Sequence, residues 1–409
     1  MAQIFGQHEA ATIDQLNDVA SRAERAALMA DGHVGYVMPI GGVAAYDNKV
    51  SVVGVGFDIA CGNAAIRTDL SVDMLGDDPN ERAATLRAMA DEIAGTVSFG
   101  VGRSNRSDDA PMDHALFDAD AWDAVPQRER GALREKARGQ LGTVGSGNHY
   151  VDVFSDETGA IWVGVHFGSR GFGHTVASGF LALSQAKKWG ERAPEREVLL
   201  DIDAPLGEDY WALMNLAGRY AYAGREWVAR KVVDLLGGRE LELVHNHHNF
   251  AWKEMHDGKE LIVVRKGATP AFPGQLSFVG GTMGDDSVIL RGASIDDPHD
   301  PRAVDQRAAL HSTVHGAGRV MSRTAAAGKT HRKTGRVLQP GRISPEMMQS
   351  WVREKGVILR GGGLDEAPQA YRRLTEVLAA QRGTVEVVHT LRPLIVVMAG
   401  PNEFDPYKD

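Results

Sequence analysis

Apolar positions recur every three to four residues, with charged faces between them, in six stretches of the chain: 10–30, 82–95, 174–192, 208–236, 344–355 and 366–382. That spacing lines the apolar side chains along one stripe of a 3.6-residue turn and predicts six helices. Short runs rich in β-branched residues lie between them, at 50–55, 161–166, 261–265, 288–291, 385–388 and 394–398, and predict strands. The fold class is therefore α/β in the mixed α+β sense. Residues 102–128, with the acidic RSNRSDDAP, read as a surface loop. No repeat of 20–50 residues, low-complexity tract or Pro/Ser-rich linker divides the chain, so one domain over 1–409 is expected.

Composition narrows the picture. At 43% hydrophobic residues the chain can bury a core, and its single cysteine excludes an internal disulfide. No window reaches the roughly 18 consecutive apolar residues of a membrane span. The N-terminal stretch has neither the basic nor the apolar region of a secretory leader, so the expectation is a cytoplasmic protein without a membrane partner. A net charge of −9 argues against a surface that coats nucleic acid as a whole, but leaves room for a local basic groove, of which KTHRKTGR (329–336) is a candidate. The 47 glycines gather beside histidines, where they let backbone approach a ligand closely.

Candidate chemistry follows from that clustering. GVGFDIACGN (54–63) holds the lone cysteine, Cys61, three residues after Asp58. His149 in TVGSGNHYVDV, His166 in VGVHFGSRG and His248 in VHNHHNF sit at the ends of apolar runs, inside glycine turns. One carboxylate, one thiolate and three imidazoles suit Zn²⁺, Mn²⁺ or Fe²⁺, with the carboxylate favouring harder ions. Five ligands exceed the needs of one tetrahedral ion, so the expectation is two metals with Cys61 shared between them. A lone buried cysteine also serves as an inert small hydrophobe, and the spacing matches no paired structural zinc signature.

HSTVHGAGRVMSR (311–323) differs in kind. Glycines at 316 and 318 let the backbone fold behind His315, and Arg319 and Arg323 offer guanidinium forks for phosphate or carboxylate. Arginines against the imidazole would keep it neutral, the form that acts as nucleophile or base. RKGATPAFPG (265–274), GGTMGDDS (280–287) and GSRGFGH (168–174) read as turns able to present N–H groups to an anion. None fits the P-loop pattern.

Taken together these segments resemble the RtcB family of RNA-splicing ligases. The resemblance runs over about 36–400, through VMP (37–39), GVGFDIACGN, LGTVGSGNHYVDV, VHFGSRGFG, HHN, RKGA, GGTMG, HGAGRVMSR, EAPQAYRRL (366–374) and LRPL. It implies a single α/β domain with a deep metal-lined cleft. It implies two Mn²⁺ held by Asp58, Cys61, His149, His166 and His248, with the cysteine bridging. His315 would be the residue guanylylated by GTP, and Asn148, Asp152, Asn249, Thr282, Met283, Arg319, Ser322 and Tyr371 would surround the nucleotide. The implied reaction joins an RNA 3′-phosphate or 2′,3′-cyclic phosphate end to a 5′-hydroxyl end. RNA, as tRNA halves or broken ends, is the implied partner, with an accessory activator possible.

Three departures bear on that reading. The family's acid–histidine turn, of the form DVHxGKG after VMP, is not found in VMPIGGVAAYDN, which implies an altered cleft rim. The family's base-contacting glutamate is Asp152 here, and the lysine before the final glycine is replaced in LRPLIVVMAG by Met398 and Ala399. Both changes bear on nucleotide choice. Three alternatives remain open at this level: a binuclear metal phosphoesterase, an end-capping or repair nucleotidyltransferase, and a non-catalytic RNA-binding protein.

Overall fold

Two β-sheets organise the computed structural model, which describes residues 2–331, 334, 336–401 and 403. Arg332, Lys333 and Gly335 of the basic stretch 329–336 lie outside the described residues. The smaller sheet has five strands in the order Gln3–Ile4, Arg25–His33, Ile40–Tyr46, Lys259–Lys266 and Asn249–His256. In the larger, the order is Leu276–Val279, Ser287–Gly292, Val385–Met398, Tyr150–Ser155, Ala160–Phe167, Gly62–Ser71 and Glu240–His247, with Ile358–Arg360 alongside Val385–Met398. The edge strand Leu276–Val279 meets the far end of the sheet through side chains: Asn63 Nδ2, on the penultimate strand, donates to Phe278 O at 2.8 Å, and Asn246 Oδ1, on the opposite edge, accepts from Phe278 N–H at 3.0 Å. The sheet is thereby nearly closed, with the C=O and N–H of Phe278 satisfied by two buried amides.

Among the described residues there are ten α-helical segments where the periodicity predicts six. Helices near 82–95, 174–192, 208–236 and 344–355 are present as Pro79–Thr96, Arg170–Leu183, Pro205–Leu235 and Pro345–Lys355. The first predicted helix, 10–30, is helical only over Ala10–Ala20, and residues 25–30 belong to the strand Arg25–His33. RAALMADGH is buried along nearly its whole length, and a continuous apolar run carries no period to tell strand from helix. Residues 52–55 make a helical turn capped by Ser51, whose Oγ accepts from Gly54 N–H at 2.8 Å. In 366–382 only Leu374–Ala379 is α-helical, after two short 3₁₀ turns of which the second starts at Pro368. The two short strands expected near 385–398 are one, Val385–Met398.

Antiparallel pairing carries the site. Gly62 lies opposite both Phe167 and His247, and Tyr150 lies opposite His166. Cys61, the end of Ala160–Phe167, the start of Tyr150–Ser155 and His248 therefore all reach the same rim of the large sheet. Segments up to 187 residues apart in sequence (248 − 61) are brought to one place by register alone.

Candidate metal centre and nucleophile

The loop before Cys61 is shaped by Gly56 at φ 91 and Ala60 at φ 60, and Cys61 N–H donates to Asp58 O at 3.1 Å. Both side chains are thereby turned to the rim. Gly168 makes room for the carboxylate: a Cβ there would lie 2.2 Å from Asp58 Oδ1. Among the described residues two groups of side chains have ligand atoms within 4.8 Å of one another, Asp58–Cys61–His149 and Cys61–His166–His248. Cys61 belongs to both. Its Sγ lies 3.6 Å from His149 Nε2 and 3.7 Å from His166 Nε2, and His149 Nε2 lies 3.1 Å from Asp58 Oδ2.

Partners on the far ring nitrogens aim two of the imidazoles. His149 Nδ1 sits 2.9 Å from Val144 O and His166 Nδ1 2.6 Å from Asn63 Oδ1, so each ring turns Nε2 inward. His248 Nδ1 is buried with no hydrogen-bond partner. Burial pushes the Cys61 thiol up, with the Asp58 charge acting the same way, and pulls His166 and His248 well below the usual histidine range. Burial opposes ionisation of Asp58 too, yet the contact with His149 brings its carboxyl down to about 2. Two imidazoles held neutral by burial, those of His166 and His248, an ionised carboxylate, a thiol that needs a cation to ionise and an orphaned ring nitrogen make a donor set that fits divalent metal.

The row of rings continues to His315. Centroids are 5.5 Å apart for His149–His166, 5.1 Å for His166–His248 and 5.0 Å for His248–His315. His315 follows the short strand Ser312–Val314, which pairs with Ala268–Pro270, and Ala268 N–H donates to His248 O. Its own contact is Asp31, a residue the sequence reading passed over. Asp31 Oδ2 accepts from His315 Nδ1 at 2.6 Å, from His315 N–H at 3.0 Å and from Gly316 N–H at 3.3 Å. Asp31 is fully buried, whereas the His315 side chain keeps 17% exposure. Gly318, more than Gly316, makes this turn possible: its φ is 73 and a Cβ would meet Asp31 O at 2.4 Å.

This corrects two expectations. An acid–histidine pair does exist, before the VMP run and not after it, in ADGHVGY, where the end of the strand Arg25–His33 supplies Asp31 and the desolvated His33, whose pKa is pulled down to about 4. And the group against the imidazole is a carboxylate, because the arginines are engaged elsewhere. Arg319 donates to Glu366 at 3.2 Å, to Tyr371 Oη at 2.7 Å and to Asp365 O at 2.7 Å, and Arg323 pairs with Glu366 at 3.1 Å.

The remaining candidates fall around this centre. Asn249 braces it: Nδ2 donates to Asp58 O at 3.4 Å and Oδ1 accepts from Gly267 N–H at 2.7 Å. Asn148 is exposed in the turn before His149, whose Gly147 approaches Arg323. Ser322 caps the helix Arg323–Ala327. Tyr371 hydrogen-bonds Glu366 and lies under the Arg319 guanidinium. Asp152 shares a sheet face with Tyr150, which stacks on His166 at 5.4 Å; Met283 and Met398 pack against that face. Asp152 Oδ1 is buried and unpartnered, and burial holds its carboxyl well above the usual range. Thr282 donates to Asp285 at 2.8 Å inside its own turn. Lys266, unremarked in RKGA, is buried with its pKa lowered by desolvation to about 8, and donates to Val53 O at 3.2 Å. Among the described residues no helix is long and apolar enough to cross a membrane.

Residues 12–399 match a family model described as "tRNA-splicing ligase RtcB". A tRNA-splicing ligase RtcB of Archaeoglobus fulgidus is 34% identical over 443 aligned positions, covering 90% of this chain and 86% of that one. The protein of the same name from Thermococcus kodakarensis is 32% identical, with 90% and 86% covered. An RNA-splicing ligase RtcB of Escherichia coli is 30% identical over 393 positions, covering 91% and 89%.

Proposed function

The chain belongs to the RtcB family of RNA-splicing ligases, and from that membership we propose that it is a Mn²⁺- and GTP-dependent ligase that seals RNA 3′-phosphate or 2′,3′-cyclic phosphate ends to 5′-hydroxyl ends. The observation that carries the reading is His315 held by buried Asp31 at 2.6 Å, one ring contact from the ligand set. Asp58, Cys61, His149, His166 and His248 would hold the metal, which when bound supplies positive charge to the phosphates.

With Nδ1–H donated to Asp31, the lone pair of His315 lies on Nε2. That atom attacks the α-phosphorus of GTP; the N–P bond forms as the bond to the β-phosphate oxygen breaks, and pyrophosphate leaves. Positive charge developing on the imidazole is met by the Asp31 carboxylate, in the manner of a buried acid orienting a catalytic histidine. The guanylyl group then passes to an RNA 3′-phosphate, made by hydrolytic opening where the end is cyclic. The 5′-hydroxyl of the second end attacks that activated phosphorus and expels GMP. Arg319, Ser322, Asn148, Asn249, Tyr371, Thr282, Met283 and Asp152 are the residues assigned to the nucleotide.

The test is incubation with Mn²⁺ and α-phosphate-labelled GTP or ATP, comparing wild type with His315→Ala, followed by joining of a 3′-phosphate RNA to a 5′-hydroxyl RNA. An acid-labile, alkali-stable protein adduct formed from GTP by the wild type alone is the expected result. Labelling by ATP would reassign the nucleotide. Bound metal without any adduct would replace the ligase reading with metal-dependent phosphoester hydrolysis.

A further inference from the structure

Behind the ligand rim lies Arg225, on the long helix Pro205–Leu235 and with no solvent exposure. Among the described residues no carboxylate pairs with it. Its guanidinium spends its donors on neutral acceptors: Nη1 on Ala60 O at 2.9 Å and Phe167 O at 2.6 Å, Nη2 on His247 Nδ1 at 2.8 Å, and Nε on His245 Nε2 at 2.8 Å. A buried cation bonded only to neutral groups is an expensive way to stabilise a core, and an apolar residue of similar volume would serve packing better. The addresses of its partners supply a reason. Ala60 precedes Cys61, Phe167 follows His166, and His247 precedes His248. One rigid fork therefore ties the chain beside all three members of the Cys61–His166–His248 group. Asp58 and His149, unique to the other group, are placed by Asn249, Gly168 and Val144 instead.

We propose that Arg225 is a positioning residue for one of two metal sites, setting the mutual spacing of Cys61, His166 and His248 through hydrogen bonds to the backbone carbonyls of Ala60 and Phe167 and to the His247 ring. The proposal rests on the metal reading above and says which half of the centre the arginine serves. His245 is the outer brace. Its ring accepts from Arg225, faces Glu226 at 3.5 Å through Nδ1, and packs with His247 against Tyr222 at centroid distances of 4.0 and 3.9 Å. Lysine at 225 keeps the charge but not the planar fork, so it cannot serve the three addresses together.

The experiment is titration of the purified full chain with Mn²⁺ alone, read by calorimetry and by the Mn²⁺ electron-spin signal, for wild type, Arg225→Lys, and Arg225→Lys placed in His149→Ala and in His248→Ala. Wild type is expected to bind two ions. Arg225→Lys should weaken one of them by roughly 10- to 100-fold, the range typical when a residue supporting a ligand is lost. The loss should persist in the His149→Ala background, where the arginine's group is the one left, and vanish in His248→Ala. Equal weakening in both backgrounds, or two wild-type affinities in a folded Arg225→Lys, overturns the proposal while leaving the metal centre in place. Failure of the wild type to bind Mn²⁺ overturns both. Should Arg225→Lys not fold, His245→Leu takes its place: a smaller loss confined to the same ion is expected, and unchanged binding at both refutes the idea.

Discussion

Replacing Asp31 by Asn tests the reading of His315 most directly, because the change keeps shape and removes charge. The asparagine Oδ1 can occupy the place of Asp31 Oδ2 and accept the same three hydrogen bonds, at 2.6, 3.0 and 3.3 Å. The two backbone bonds are present before and during reaction and cancel from the rate. The imidazole bond does not cancel, since it strengthens as Nε2 bonds to phosphorus and the ring turns positive. Hydrogen bonds to charged groups are worth about 1.5–3 kcal/mol, and losing that assistance slows adduct formation roughly 10- to 150-fold. The assay is single-turnover labelling from GTP at saturating Mn²⁺, normalised to folded protein, with metal content measured alongside. Unchanged metal binding with slowed labelling is the expected pattern. An Asp31→Asn protein that labels at the wild-type rate would refute the assignment of Asp31 as partner to the nucleophile.

Three other outcomes are expected. Gly168→Ala drives a methyl onto Asp58 Oδ1 at 2.2 Å, so Mn²⁺ affinity should fall roughly 10-fold or more with about 1–3 kcal/mol of stability lost; calorimetric titration and urea unfolding check it. Glu254→Gln leaves Arg265 buried without its bidentate partner, at 2.6 and 3.0 Å, and should cost about 3–5 kcal/mol in urea unfolding while labelling per folded molecule is kept; Glu386→Gln, at an exposed pair, should cost under about 1 kcal/mol. Burial lowers His33 to about 4 and His245 to about 3, so the unfolded chain takes up protons near pH 6.5 that the folded chain refuses. Their contribution to stability is complete above pH 6.5 and is lost as pH falls toward 4, so Tm should drop between pH 7 and pH 5; a rise would contradict the sign.

Chemistry was written locally and could be read locally. Cys61 with Asp58, the glycine-flanked histidines and HGAGR name their residue types wherever the chain folds, and four of the helices, Pro79–Thr96, Arg170–Leu183, Pro205–Leu235 and Pro345–Lys355, follow from short-range periodicity, whereas Gln127–Gln140 and Pro301–Ala308 did not show in it. Register and charge pairing could not be read that way. Asp31 falls just past the stretch 10–30 that reads as helix, and its tie to His315 spans 284 residues; nothing near ADGH announces a partner so far off. Arg225 looks like any charged residue of a long helix until antiparallel pairing sets Phe167 and His247 on either side of Gly62, two residues from Ala60, within reach of its guanidinium. Local sequence sets which groups are available, because propensity and turn geometry are short-range. Which of them touch is decided by strand register and burial, which act between segments that only the folded chain brings together.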